Sequence, residues 1–128
     1  MILVDTSIWI AARRQPRVAE TLQQLIDADE VALALPVRLE LLAGTAPHQR
    51  AAFRRSFSGI PMMYPTDEAW QLLPEWIARA TDAGERFGLA DLLIASMAAE
   101  INGLVWSLDK DFERMETLKM VSLYSLPH

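Results

Sequence analysis

Residues 88–112, GLADLLIASMAAEINGLVWSLDKDF, leave the chain little freedom in how it can fold. Leu89 to Ala99 is apolar apart from Asp91 and Ser96, and Asp91 is the only charge between Arg86 and Glu100. A helix that is apolar on nearly every side belongs in a protein interior. A lone carboxylate within it is costly unless a cation or a metal compensates it; Arg38 or Arg86 could supply the cation. Asn102-Gly103 stops the helix, with Gly103 expected at positive φ. Leu104-Val105-Trp106 then reads as a buried strand. It delivers Ser107, Asp109 and Asp111 to its C-terminal end, the end at which open α/β sheets place their sites.

The rest of the chain repeats this alternation. Residues 1–4 form a short apolar strand that runs into Asp5-Thr6-Ser7, three residue types favoured as helix N-caps. A helix follows over residues 7–13, with Ile8, Trp9 and Ile10 on and around its buried side. Val18, Leu22, Leu25 and Ile26 recur at helical spacing over residues 17–28. Residues 31–35 make a second buried strand, and Pro36 suits the first turn of the helix carrying Glu40. Residues 47–57 read as a further helix and 60–64 as a short strand. Thr66 caps a long helix over 67–83, which Pro74 should kink or split. Residues 112–118 form a short helix and 120–124 an edge-like strand. Trp9, Trp70, Trp76 and Trp106 read as core. The alternation predicts one α/β domain over residues 1–128, with a mostly parallel sheet and helices on both faces.

Bulk properties narrow the function. At 128 residues the chain is large enough to bury roughly 68% of its unfolded surface. No apolar run approaches the ~18 residues of a membrane span, and the N-terminus lacks the basic leader and cleavage site of a secretory signal. Cysteine is absent. That excludes disulfides, thiolate metal sites and cysteine nucleophiles, and fits a cytoplasmic protein. A net charge of −5 argues against broad electrostatic binding of nucleic acid. It leaves room for a nuclease, because an acidic metal site counts as negative until cations occupy it.

Four of the acids fall at element ends. Asp5 follows the first strand, Glu40 lies in the helix after the second, Asp91 begins the buried helix, and Asp109 follows the next strand. Parallel strands joined through helices end on one edge, so these residues can converge. Singly, each has a plain reading as a cap, a turn or a solvated charge. Together they repel: two carboxylates ~4 Å apart cost about 4 kcal/mol at an effective dielectric near 20. Some must protonate or cations must bind, and Lys110 is the only nearby lysine. Oxygen-only ligation suits Mg²⁺ or Mn²⁺ better than zinc. With only His48 and His128 available, a paired-histidine mechanism is disfavoured.

The order of apolar-D-T-S at Asp5, E-L-L-x-G at Glu40 to Gly44, G-L-x-D-x-x-I-A at Gly88 to Ala95 and S-L-D-K-D-F at Ser107 to Phe112 resembles PIN-domain nucleases. Length and spacing are similar to the VapC-type ribonuclease toxins of bacterial toxin–antitoxin pairs, over essentially the whole chain. Ser107 departs from the family's usual Thr but keeps a hydroxyl. The resemblance implies Asp5 and Asp91 as principal Mg²⁺ ligands, with Glu40 and Asp109 completing the acidic pocket. Asp111 would be an outer ligand, and Thr6, Ser7 and Ser107 would orient ligands or water. It further implies an RNA substrate, a homodimer and a small antitoxin partner.

Arg13, Arg14 and Arg17 form one basic group; Arg50, Arg54 and Arg55 form another. Both read as solvated helix faces, or as phosphate-positioning residues that would give affinity without base specificity; Arg13 and Arg14 are the RNA-positioning candidates. Two rival functions remain. One is a catalytically silent module of the same fold. The other is a receiver-type phospho-acceptor, which would want adjacent acids after the first strand and an acceptor Asp after the middle one.

Overall fold

The apolar residues ahead of Asp5 become β1 (Ile2–Val4), buried throughout. In the computed structural model, which describes residues 1–126, β1 is the middle strand of an all-parallel sheet. With β2 (Val31–Ala34), β3 (Met62–Met63), β4 (Leu104–Trp106) and β5 (Ser122–Leu123), the order is β3-β2-β1-β4-β5. Leu3 is in register with Ala32 on one side and Val105 on the other. The short edge strands β3 and β5 fall inside the segments expected to form them.

Period-two alternation divides the core. Ile2, Val4, Val31 and Trp106 pack with Ile8 of α1 (Thr6–Ala11) and with Val18 and Leu22 of α2 (Pro16–Asp27). Leu3, Ala32 and Val105 belong to the opposite cluster. That cluster is built by α3 (Leu35–Ala43), α4 (Arg50–Phe57, entered through a 3₁₀ turn at Pro47–Gln49), α5 (Asp67–Asp82), α6 (Leu89–Glu100) and α7 (Lys110–Thr117). The α/β architecture with helices on both faces is therefore the one expected. Every residue of α6 from Leu92 to Ala98 is buried, and each Leu, Ile and Met side chain within that stretch contributes roughly 1.5–3 kcal/mol by leaving water.

Four local expectations change. Of the two outcomes expected at Pro74, the split does not occur: α5 is one helix across it. Its core face is Ala69, Leu73, Trp76 and Ala80, while Pro74 is exposed. The missing N–H and the crowded carbonyl thus fall on the solvent side, where water can compensate. The same register places Trp70 outside the core at 52% exposure. Ile10 is likewise outside the α1 core face. At the end of α6, Asn102 takes the left-handed conformation (φ 51°), not Gly103. The amides of Asn102 and Gly103 donate to Ala99 O and Ala98 O at 3.1 and 2.8 Å, the paired closure of a Schellman motif. Gly103 is required for a different reason: a Cβ there would lie 2.8 Å from the carbonyl oxygen of Met1. His128 lies outside the described residues.

Candidate active site

The chain moves outward from β1 through β2 to β3, then crosses back to β4 and β5. The direction of winding therefore reverses between β1 and β4, and the C-terminal ends at such a switch point form a crevice. Receiver-type sheets run 2-1-3-4-5, so this order separates the fold from that rival. Asp5 directly follows β1, and its amide donates to Trp106 O of β4 at 2.9 Å. Helix α6 runs back against the strands on its way to β4, which places its first turn, and Asp91, at the same edge.

A cleft of about 480 Å³ opens there, lined by Asp5, Thr6, Ser7, Glu40, Asp91 and Asp109 together with Ile10, Gly88 and Ala90. The four acids singled out in sequence thus share one cavity. Ser107 belongs to the same site through Asp5. Asp111 joins it because Asp91, Asp109 and Asp111 each offer a carboxylate oxygen within 4.8 Å of the others. The outer ligand implied by the resemblance is therefore in the tightest carboxylate group. Arg13 lines a different and larger groove. Neither it nor Arg14 lines the acidic cleft.

Asp5 sits at the N-cap position of α1 but does not cap it. Its Oδ2 instead accepts from Ser7 Oγ at 2.9 Å and Ser107 Oγ at 2.7 Å. Those hydroxyls, 3.2 Å apart, accept in turn from the amides of Leu108 and Asp109, both at 3.0 Å. The turn after β1 is thereby clipped to the turn after β4. Asp109 caps α7, its Oδ1 accepting from the Asp111 amide at 2.9 Å. Asp111 Oδ1 accepts from Arg114 Nη1 at 2.6 Å. In Asp5, Asp109 and Asp111, then, one carboxylate oxygen is held by a protein donor and the other is left over.

Asp91 is the exception. Arg114 pairs with Asp111 and with Glu85, and among the described residues neither Arg38 nor Arg86 pairs with Asp91. Burial, followed by repulsion from Asp5, Asp109, Glu40 and Asp111, pushes its carboxyl up from 3.8 to about 6. Its place in the first turn of α6, where the helix dipole favours negative charge, does not offset this.

The donor set fits a hard divalent cation. It is oxygen-only, and no histidine lines the cleft. Thr6 Oγ1 is buried without a hydrogen-bond partner, the kind of orphan that a bound ion or its water would satisfy. Arg114 was missed in sequence because it reaches the site through an i,i+3 pair on a helix read as starting later. Asp111 followed by Arg114 on one α7 face was the available signal.

These features define an α/β domain with an acidic cleft at its switch point. The family model described as PIN domain matches residues 2–118, and the chain belongs to that family. Its fold is shared with VapBC2 from Rickettsia felis, solved bound to a DNA fragment from its promoter, at 20% identity and a TM-score of 0.81 over 97% of this chain and 98% of that one. It is similar to VapBC-1 from nontypeable Haemophilus influenzae (21%, TM-score 0.78, 98% of each chain). It also resembles VapBC-5 from Mycobacterium tuberculosis, a member of the VapBC family of toxin–antitoxin systems (26%, TM-score 0.70, 94% of each chain). No curated protein matches the chain in sequence.

Proposed function

We propose that the chain is a Mg²⁺- or Mn²⁺-dependent endoribonuclease and the toxin of a type II toxin–antitoxin pair, acting in the cytoplasm. The observation that carries this reading is Asp91: a half-buried carboxyl among four neighbouring acids, with no cation paired to it among the described residues and raised to about 6 by burial first and by those acids second. Membership in the PIN-domain family and the likeness to VapBC proteins support it.

Asp91, Asp109 and Asp5 would hold the cation, with Asp111 beside them and Glu40 completing the negative wall. When bound, a divalent ion supplies Lewis acidity toward a phosphodiester and a more acidic water. Ser7 and Ser107 fix the carboxylate of Asp5 so that its free oxygen keeps one direction, and Thr6 Oγ1 offers a further contact for water. Arg13 and Arg14, three and four residues after the cleft-lining Ile10, would reach phosphates of a bound strand from beside the cleft.

The partner is an antitoxin. A groove of about 650 Å³ has Trp9, Leu22, Ile26, Phe53 and Phe57 in its lining and Arg13 among its polar residues. That shape and chemistry suit the apolar face of an amphipathic helix. A homodimer is supported by Trp70 and Ile77, exposed one above the other on α5.

The test is cleavage of a defined RNA by the purified chain. EDTA should abolish it, and Mg²⁺ or Mn²⁺ should restore it. Asp5→Ala should be inactive while still folding and binding its partner. Cleavage that persists in EDTA would overturn the metal mechanism. A chain that binds Mn²⁺ yet cuts no RNA would be the silent module.

A further inference from the structure

Arg114 is the one cation paired within the acidic cluster among the described residues. Its Nη1 donates to Asp111 Oδ1 at 2.6 Å, and its Nε lies 3.9 Å from Glu85 Oε2, a residue of the turn between α5 and α6. Asp111 at the same time offers an oxygen within 4.8 Å of ligand atoms on Asp91 and Asp109. One carboxylate is therefore claimed from both sides.

We propose that Arg114 acts through Asp111 as a built-in counter-cation and weakens divalent-ion binding at the cleft. This rests on the metal-dependent reading above. Two effects of Arg114 compete. By orienting Asp111 it would help an ion to bind; by neutralising Asp111 it would hinder. Orientation is the smaller effect here, because Asp111 is already placed by α7 and by its amide's 2.9 Å bond to Asp109. Only its side-chain torsions remain for Arg114 to settle. The charge effect is larger, because a guanidinium acts on a divalent ion with twice the force it exerts on a monovalent one. Arg114 is half exposed, which moderates the effect without cancelling it. The pair offsets one of the cleft's negative charges, although Asp91 itself has no cation partner among the described residues. It also makes release of the ion easier than five acids alone would.

The experiment is calorimetric titration of Mn²⁺ into the metal-free full chain. Arg114→Gln should bind Mn²⁺ about fivefold tighter than wild type. Arg114→Lys, which keeps the charge, should restore an affinity close to wild type. Adding Arg114→Gln to Asp111→Asn should change affinity far less than adding it to wild type, since the effect runs through Asp111. Unchanged affinity in Arg114→Gln would make the pair an ordinary surface salt bridge and overturn the proposal. Weaker binding would make Arg114 a mere orienter of a ligand and overturn it as well. Failure of wild type to bind Mn²⁺ would overturn both this inference and the metal reading. A wild type that binds, with an Arg114→Gln that does not tighten, overturns this inference alone.

Discussion

The two edges of the sheet treat their polar groups in opposite ways. At the N-terminal edge the backbone closes on itself. Ile2 N donates to Glu30 O at 2.7 Å, Leu104 N to Met1 O at 3.0 Å, and Gly103 N to Ala98 O at 2.8 Å. At the C-terminal edge β1 runs directly into Asp5 and β4 leads through Ser107 to Asp109, and α1, α3 and α6 start there without side-chain caps. Asp5, at a cap position, is turned to Ser7 and Ser107 instead. One edge thus secures the fold. The other keeps unsatisfied charge that a cation can use, and strand direction alone separates the two.

The sharpest way to break this contrast is to neutralise the acid that suffers most. Asp91→Asn should lower RNA cleavage roughly 100-fold or more, the scale expected when a preorganised charge is lost from a reacting centre. The metal-free protein should at the same time become more stable near neutrality. The sign follows from the raised carboxyl. Folding favours the protonated form, so stability from this group is fully present below about 3.8 and lost as pH rises through about 6. The loss is on the order of 2 kcal/mol after allowance for partial solvent exposure. Urea melts of wild type and Asp91→Asn from pH 4 to pH 7 should diverge across this window, with wild type falling. Saturating Mg²⁺ should remove the divergence. Parallel curves without metal would mean that Asp91 is not under repulsion.

The opposite edge should answer differently. Gly103→Ala puts a methyl 2.8 Å from the Met1 carbonyl oxygen and 3.1 Å from Ile101. The first contact is with the backbone of Met1, just ahead of β1, whose carbonyl oxygen is held by the Leu104 amide at 3.0 Å. Overpacking there should cost ~2 kcal/mol and lower the melting temperature, yet leave Mn²⁺ affinity unchanged in the folded protein. A matching drop in Mn²⁺ affinity would mean that the two edges are not independent.

Much of this division was legible in the sequence, and particular residues explain what was not. The buried strands and α6 could be read because runs such as residues 1–4 and 89–99 are apolar with no competing pattern. The acids could be read because Asp5 and Asp109 come shortly after such runs, Asp91 interrupts one, and Glu40 lies in the helix that follows another. Trp70 and the expected split at Pro74 misled because a single sequence says little about which side of a long helix faces water; the core face at Ala69, Leu73, Trp76 and Ala80 leaves both residues outside. Gly103 was assigned a backbone conformation when its role is steric, a contact with residue 1 that no local pattern encodes. Arg114 stayed hidden because α7 begins at Lys110, earlier than its apolar residues indicate. Its start is set by Asp109 acting as a cap.

The finest test concerns the clip between the edges' two uses of polar groups. Ser107 Oγ serves Asp5 as a donor and the Asp109 amide as an acceptor. Ser107→Ala removes both bonds. The amide is exposed and can turn to water, so the stability cost should be only ~1 kcal/mol. Asp5 keeps Ser7 as its remaining donor but loses half of what fixes its direction, and cleavage should fall about 10-fold, the lower end of what supporting contacts to a metal ligand contribute. Ser107→Thr retains the hydroxyl and should cleave within about twofold of wild type, because only the bond to Asp5 matters in this account. A threonine variant as slow as the alanine one would show that shape at this position, and not the hydrogen bond, governs the site. Ser7→Ala combined with Ser107→Ala should lose more activity than the single changes multiplied together. Each hydroxyl alone can still hold Asp5, and only their joint loss lets the carboxylate turn freely.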